Sequence, residues 1–245
     1  MNKMIILKTT IISLFILGTL ADSAAQANDK FQLITTVNPP YVMEDGKTGF
    51  MIDLFEHLFK KAGIPFVLTV APLKRGLTMT LEKPHACIAP VDRSQALEAQ
   101  YKWVSPFLIT ETALYTKGTA PINVSVLADA KGSPIAAHLG SAIEMMLKKM
   151  DYNVQALTET SKVPKMLATD RIKFWAEDTL VAPLYAAQSD VKIFESLRIA
   201  KTILAMACNP ALDDSLILKL NTEVSKLYRD GYMKKLIQKY KSEKK

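Results

Sequence analysis

The residues of this chain whose types could do chemistry stand at the ends of apolar runs. Tyr41 follows two prolines in "TTVNPPYVMEDG". It sits at the mouth of a strand-like run, where a core aromatic has no obvious partner. A ring so placed is a platform for a bound molecule or a cover for a sheet edge. Gly140 and Ser141, in "AAHLGSAIEMML", open a helix directly after a strand. Free amides and the positive helix end favour an anionic group there, with the serine hydroxyl as a further donor. An ordinary N-cap uses the same geometry. Asp92 and Arg93 occupy a junction of loop and helix in "APVDRSQ", where they can pair and close the loop. Arg75 in "PLKRG" is a further cation, and its default place is an exposed helix face. Glu177 and Asp178 end "KFWAED", and Asp178 is placed to cap a helix starting near Thr179. Glu177 or Glu111 would be the acid or base of a proton transfer, but neither stands in a catalytic signature.

Metal and cofactor chemistry have no footing in the sequence. His57, His85 and His138 are far apart, and no HExxH or paired-cysteine spacing occurs. The two cysteines, Cys87 and Cys208, do not make a disulfide framework. Both lie in apolar runs, "ACIAPV" and "ILAMACNP", which favours two buried thiols over a bridge.

The chain opens with a basic lead (Lys3, Lys8), an apolar run from Ile11 to Leu17, and Ala25-Gln26-Ala27. That order reads as a secretory signal over residues 1–27, cleaved after Ala27. The run is too short for a spanning helix, which needs about 20 apolar residues. Export of a soluble protein is expected. Without this leader the net charge of +7 falls by one. The remaining charge is dispersed, apart from a lysine-rich tail (Lys234 to Lys245) without interleaved aromatics beyond Tyr240. That pattern is a solvated helix end and does not call for a nucleic-acid partner.

Apolar residues make up 49% of the chain, enough for packed cores. Strand-type and helix-type runs alternate nearly throughout: Phe31 to Val37, a helix with Met51, Phe55, Leu58 and Ala62 inward, "FVLTVA", Lys74 to about Lys83, then "ACIAPV". After the extended segment Thr110 to Gly118 the pattern repeats, with strands at "SPIAAHLG", "YNVQAL", "KFWAED" and "VKIF". "TILAMAC" is a separate extended run, and two helices close the chain. The β-α-β order implies mostly parallel sheets covered by helices. Two such units joined by two extended crossings make a two-lobed protein. Its cleft would collect the loops after "ITTV", "CIAPV", "AAHL" and "KFWAE", beyond the carboxyl ends of the strands.

Four blocks in order, "NPPYVMEDGKTGFMIDLFEHLFKKAG", "APLKRGLTMTLEKPHACIAPVDRSQALEAQYKWVSPF", "LADAKGSPIAAHLGSAIEMML" and "LNTEVSKLYRDGYMKKLIQKY", resemble family 3 of the bacterial periplasmic solute-binding proteins. That family contains the polar amino-acid receptors of ABC importers. The resemblance implies an α/β fold of the type II periplasmic-binding-protein kind, with two mixed sheets, flanking helices and a two-strand hinge near Thr110–Gly118 and Ala200–Asn209. Residues 28–113 and 207–245 would form lobe 1, and residues 114–206 lobe 2. It also implies a monomer that binds without catalysis, has no cofactor, and hands a small polar solute to a permease in the inner membrane. A periplasmic sensor, or an enzyme resembling cyclohexadienyl dehydratase, would use the same scaffold.

Residue by residue, the resemblance implies that Tyr41 packs on the ligand, that Gly140 and Ser141 meet its carboxylate, and that Asp178 grips its ammonium group. One position departs. Relatives that bind α-amino acids carry an arginine where this chain has Leu97, and leucine cannot make the two-bonded fork to a carboxylate. Arg93 or Arg75 would have to take over. Were the ligand cationic, Asp92 and Asp178 would grip it instead.

Overall fold

The structure is a computed structural model that describes residues 30–120 and 124–242. The expected leader over residues 1–27 lies outside the described residues. Among the described residues, the unit from Phe31 onward contains eight strands and eight α-helices. The first part runs β1 (Phe31–Thr35), α1 (Phe50–Ala62), β2 (Phe66–Val70), α2 (Leu73–Glu82), β3 (Ala86–Arg93), α3 (Gln95–Glu98) and β4 (Lys102–Lys117). Next come β5 (Ile135–His138), α4 (Ala142–Lys149), β6 (Val154–Leu157), α5 (Val163–Ala168), β7 (Phe174–Asp178) and α6 (Val181–Gln188). The chain closes with β8 (Ile193–Cys208), α7 (Asp214–Arg229) and α8 (Tyr232–Ser242).

Helix α1 shows why the local readings hold. Met51, Leu54, Phe55, Leu58, Phe59 and Ala62 share its buried face. Gly63 ends it in the left-handed conformation, its amide donating to the Phe59 and Lys60 carbonyls. Phe55 packs on Phe107 of β4, with ring centroids 6.2 Å apart, so the helix is tied to the centre of the sheet.

One expectation fails here. The strands form a single sheet of eight, in the order β2-β1-β3-β8-β4-β7-β5-β6, and not two separate sheets. The cause is the length of β4 and β8, 16 residues each, which pair antiparallel from Lys102↔Cys208 to Lys117↔Ile193. The carboxyl end of β8, from Ile203 to Cys208, also holds β3. The far end of β4, from Thr112 to Tyr115, holds β7. Each half then adds parallel neighbours, β1 and β2 on one side, β5 and β6 on the other.

The segments "VKIF" and "TILAMAC" belong to the one strand β8. Between them the strand carries Glu195, Arg198 and Lys201, which break its apolar pattern. Two of these charges are used in the ladder, where Arg198 pairs with both Glu195 and Glu111.

The cysteines are a second correction. Cys87 and Cys208 form a disulfide and are fully buried. They are register partners on the adjacent antiparallel strands β3 and β8, with Cα atoms 4.0 Å apart. Apolar surroundings suit a thiol and a disulfide equally, so only the register distinguishes them.

Candidate functional site

A small cavity of about 40 Å³ lies where the two halves of the sheet face each other. The segment after β1 contributes Thr36, Asn38 and Tyr41, and the end of β3 contributes Pro90, Val91 and Asp92. From the other half come His138 at the end of β5, Ser141 at the start of α4, and Glu177 and Asp178 at the end of β7. Thr112 and Leu204, on the two long strands, floor it. Every contributing strand except these two presents its carboxyl end, as parallel strands with helical crossovers require.

Backbone geometry holds Tyr41 in place. Its amide donates to the Asn38 carbonyl at 2.9 Å, and its own carbonyl accepts from Met51 in the first turn of α1 at 2.8 Å. Gly49, at φ +126, permits this approach, since a Cβ there would lie 2.5 Å from the Tyr41 carbonyl oxygen. The ring is 2% exposed, so Tyr41 is not the open platform its sequence position suggests. Its hydroxyl donates to Asp178 Oδ2 at 3.2 Å, and this bond crosses from one half to the other. Burial pushes the Tyr41 hydroxyl well above its ordinary pKa, and the Asp178 carboxylate adds to the shift.

Asp178 has two tasks. Oδ1 accepts from the Leu180 amide at 2.7 Å in the turn before α6, whose N-cap is Leu180 and not Asp178, while Oδ2 faces Tyr41. Burial raises its pKa; the Leu180 amide, the Thr110 hydroxyl and Tyr41 oppose the rise. Glu177 is 7% exposed, and its Oε1 accepts from the Asp178 amide at 2.9 Å. Its Oε2 is buried with no hydrogen-bond partner. The Trp175 indole is near enough to ease the Glu177 charge but does not reach hydrogen-bond geometry. Burial pushes Glu177 up to about 8, with the Asp178 and Asp92 charges adding to it. Asp92 is pushed up to about 7, by burial first and then by Asp178. His138 is moved the other way, down to about 4 by burial, and is neutral at pH 7.

The start of α4 is already engaged within the chain. Ser141 Oγ accepts from the Glu144 amide at 3.2 Å, and Glu144 Oε2 accepts from the Gly140 amide at 3.3 Å, an N-cap with a returning carboxylate. The Ala142 amide faces the Asp92 carboxyl of the opposite half. Gly140, at φ +91, lets α4 lie against α2, where a Cβ would meet the Lys74 Cα at 3.2 Å.

The two arginines lie elsewhere. Arg93 makes a fork to Glu98, with Nε to Oε2 at 2.9 Å and Nη2 to Oε1 at 2.6 Å, and lies over the Trp103 ring. It pairs with Glu98, not Asp92, and borders a separate groove with Lys149 and Lys201. Arg75 is exposed on α2 and does not line the cavity. Leu97 packs in a core with Tyr101 and Trp103, so nothing cationic stands at its position.

Asn38, Thr112 and His138 were missed in the sequence. Thr112 lies inside β4 and His138 closes β5, so each belongs to a strand pattern, and only the meeting of the two halves marks them. Glu177 had a legible signal: an acid alternating with the apolar residues of "FWAED" must point where Trp175 points, into buried space.

No family model matches the sequence, and no curated protein matches it. Solved structures do. An ancestral arginine-binding protein bound to glutamine is 23% identical, has a TM-score of 0.74, and covers 86% of this chain and 97% of its own. A histidine kinase sensor domain with similarity to periplasmic binding proteins is 15% identical at a TM-score of 0.78, covering 86% and 95%. The ancestral amino-acid-binding protein AncCDT-1, a precursor of cyclohexadienyl dehydratase, is 17% identical at 0.73, covering 86% and 95%. At such identities the likeness is one of fold. The chain has the α/β fold of the periplasmic amino-acid-binding proteins, as the resemblance in its four blocks implied.

Proposed function

We propose that the protein captures a small polar solute between two lobes and presents it, as a monomer, to an ABC permease of the inner membrane. The observation that carries this reading is the cavity itself, built from four strand ends of opposite halves across the paired strands β4 and β8. The lobes would meet where pairing passes from β3 to β7, around Leu108–Thr112 and Ala200–Leu204. A buried disulfide suits an oxidising compartment such as the periplasm, in keeping with the secretory leader. Among the described residues no helix is long and apolar enough to cross a membrane. A sensor that shows its closed form to a signalling partner would use the same site.

Small-angle scattering of the protein lacking residues 1–27 tests the reading. A solute that stabilises the protein should also reduce the population of open forms and hence the radius of gyration. A stabilising solute that leaves the radius unchanged under conditions where the protein opens would count against interlobe capture.

One observation favours a second reading, an enzyme on this scaffold. Glu177, with its pKa near 8, is protonated at neutral pH, as a general acid must be. Prephenate and arogenate are the substrates to test, read out as aromatic product. Their carboxylates would enter a cavity lined by three acids and no lysine or arginine, which weighs against them.

A further inference from the structure

The polar groups of the interlobe cavity are unbalanced in two ways. Three carboxyls line it, those of Asp92, Glu177 and Asp178, while no lysine or arginine does. Two of the lining residues also hold side-chain atoms without partners, and the Trp175 indole behind Glu177 is an unpartnered donor near them. Glu177 Oε2 and Asn38 Oδ1 are both buried acceptors, and both belong to lining residues. A buried acceptor without a donor costs about 1–3 kcal/mol, so the site is built for something that supplies donors. An ammonium group has three donors and no acceptor. A carboxylate has only acceptors, and the amides that would receive it are taken: Glu144 holds Gly140, and Asp92 faces Ala142.

We propose that the cavity takes the ammonium head of a small organic cation that has no carboxylate, with Glu177 as its buried counter-charge and Asp92 and Asp178 beside it. This rests on the reading of the cavity as an interlobe solute site, and it names the class of solute. The volume of about 40 Å³ matches a head group and not a whole amino acid. Among the described residues no set of three or more acidic, histidine or cysteine side chains is arranged to hold one metal ion. The wider spread of the acids suits an ammonium that donates in several directions.

Protons take part in the binding. The groups acting on Glu177 are the acids Asp92 and Asp178, while Tyr41, Tyr115 and Tyr185 around it and His138 on β5 are neutral at pH 7. No cation holds these carboxyls in their charged form. An arriving ammonium does so, and a proton leaves. Affinity therefore rises with pH between 6 and 8, by up to about tenfold per unit for one proton released.

The test is a thermal-shift panel at pH 7.5, followed by titration calorimetry of whatever binds. The panel holds methylamine, putrescine and agmatine, the carboxylate-bearing solutes L-glutamine, 4-aminobutyrate and succinate, and calcium chloride. The expected result is stabilisation by one or more of the three amines, with a binding heat that depends on buffer ionisation and shows proton release. Glu177→Gln should weaken that amine more than tenfold and remove the pH dependence. Asp92→Asn makes the same comparison if the glutamine variant does not fold. Stabilisation by a carboxylate-bearing solute or by calcium, with the amines silent, overturns the ligand class and leaves interlobe capture standing. Silence across all classes overturns both.

Discussion

Tyr41 and Asp178, 137 residues apart in the chain, meet in a hydrogen bond of 3.2 Å between the phenol and Oδ2. Among the described residues a second such link runs between the halves, from the Tyr185 hydroxyl to Glu44 Oε1 at 3.4 Å. Both put a tyrosine of one half against an acid of the other. The contact between the halves is thus held by neutral donors beside acids, and it should respond to anything that changes the charge of those acids.

Tyr41→Phe removes the hydroxyl and keeps the ring. It should cost about 1–2 kcal/mol of stability, the worth of a buried hydrogen bond to an acid. Tyr41→Ala also empties a site that is 2% exposed and should cost about 3–5 kcal/mol. Chemical denaturation of both variants measures the difference. Equal losses would mean that the bond, and not the ring, matters.

Stability should fall as pH rises from 6.5 to 8.5. Asp92 and Glu177 have folded pKa values near 7 and 8, above those of free carboxyls, so the native chain binds more protons than the unfolded one in this window. Their stabilising contribution is complete at low pH and is lost as pH climbs through those values. His138, lowered to about 4, acts oppositely, but only below pH 6.5, where the unfolded imidazole takes a proton. Melting temperature against pH reports the slope, and Glu177→Gln should flatten it.

Opening of the cleft should follow the same titration. Scattering at pH 6 and pH 9 without added solute should show a larger radius at pH 9, where three adjacent carboxylates repel one another. A constant radius would place the charge response in unfolding alone.

Reduction should weaken the fold. The Cys87–Cys208 bridge closes a loop with a separation of 121 residues, and removing such a cross-link typically costs about 2–5 kcal/mol. The Cys87→Ser variant and dithiothreitol treatment should lower the denaturation midpoint together. A change in one without the other would point to an effect of the substituted side chain.

Arg93→Ala should leave solute affinity unchanged and stability within about 1 kcal/mol, since Arg93 pairs with Glu98 at the surface, with side-chain exposures of 36% and 48%. A tenfold loss of affinity for any solute in the panel would bring Arg93 back to the site.

The sequence by itself determined the elements and their order. Helix α1 was legible from Met51, Phe55, Leu58 and Ala62 at helical spacing and from Gly63 as its stop, because local periodicity and the left-handed freedom of glycine act within a few residues. The strand ends that build the cavity were legible as well, since β-α-β order dictates that carboxyl ends share one edge. Tertiary structure decided what pairing across long separations decides. Register set Cys87 opposite Cys208 and made one sheet of what read as two. Approach of the halves buried Tyr41 against Asp178. It also left Glu177 Oε2 buried without a hydrogen-bond partner. A carboxylate reads the same in sequence whether it meets water, a lysine or two other acids. Only the fold fixes which.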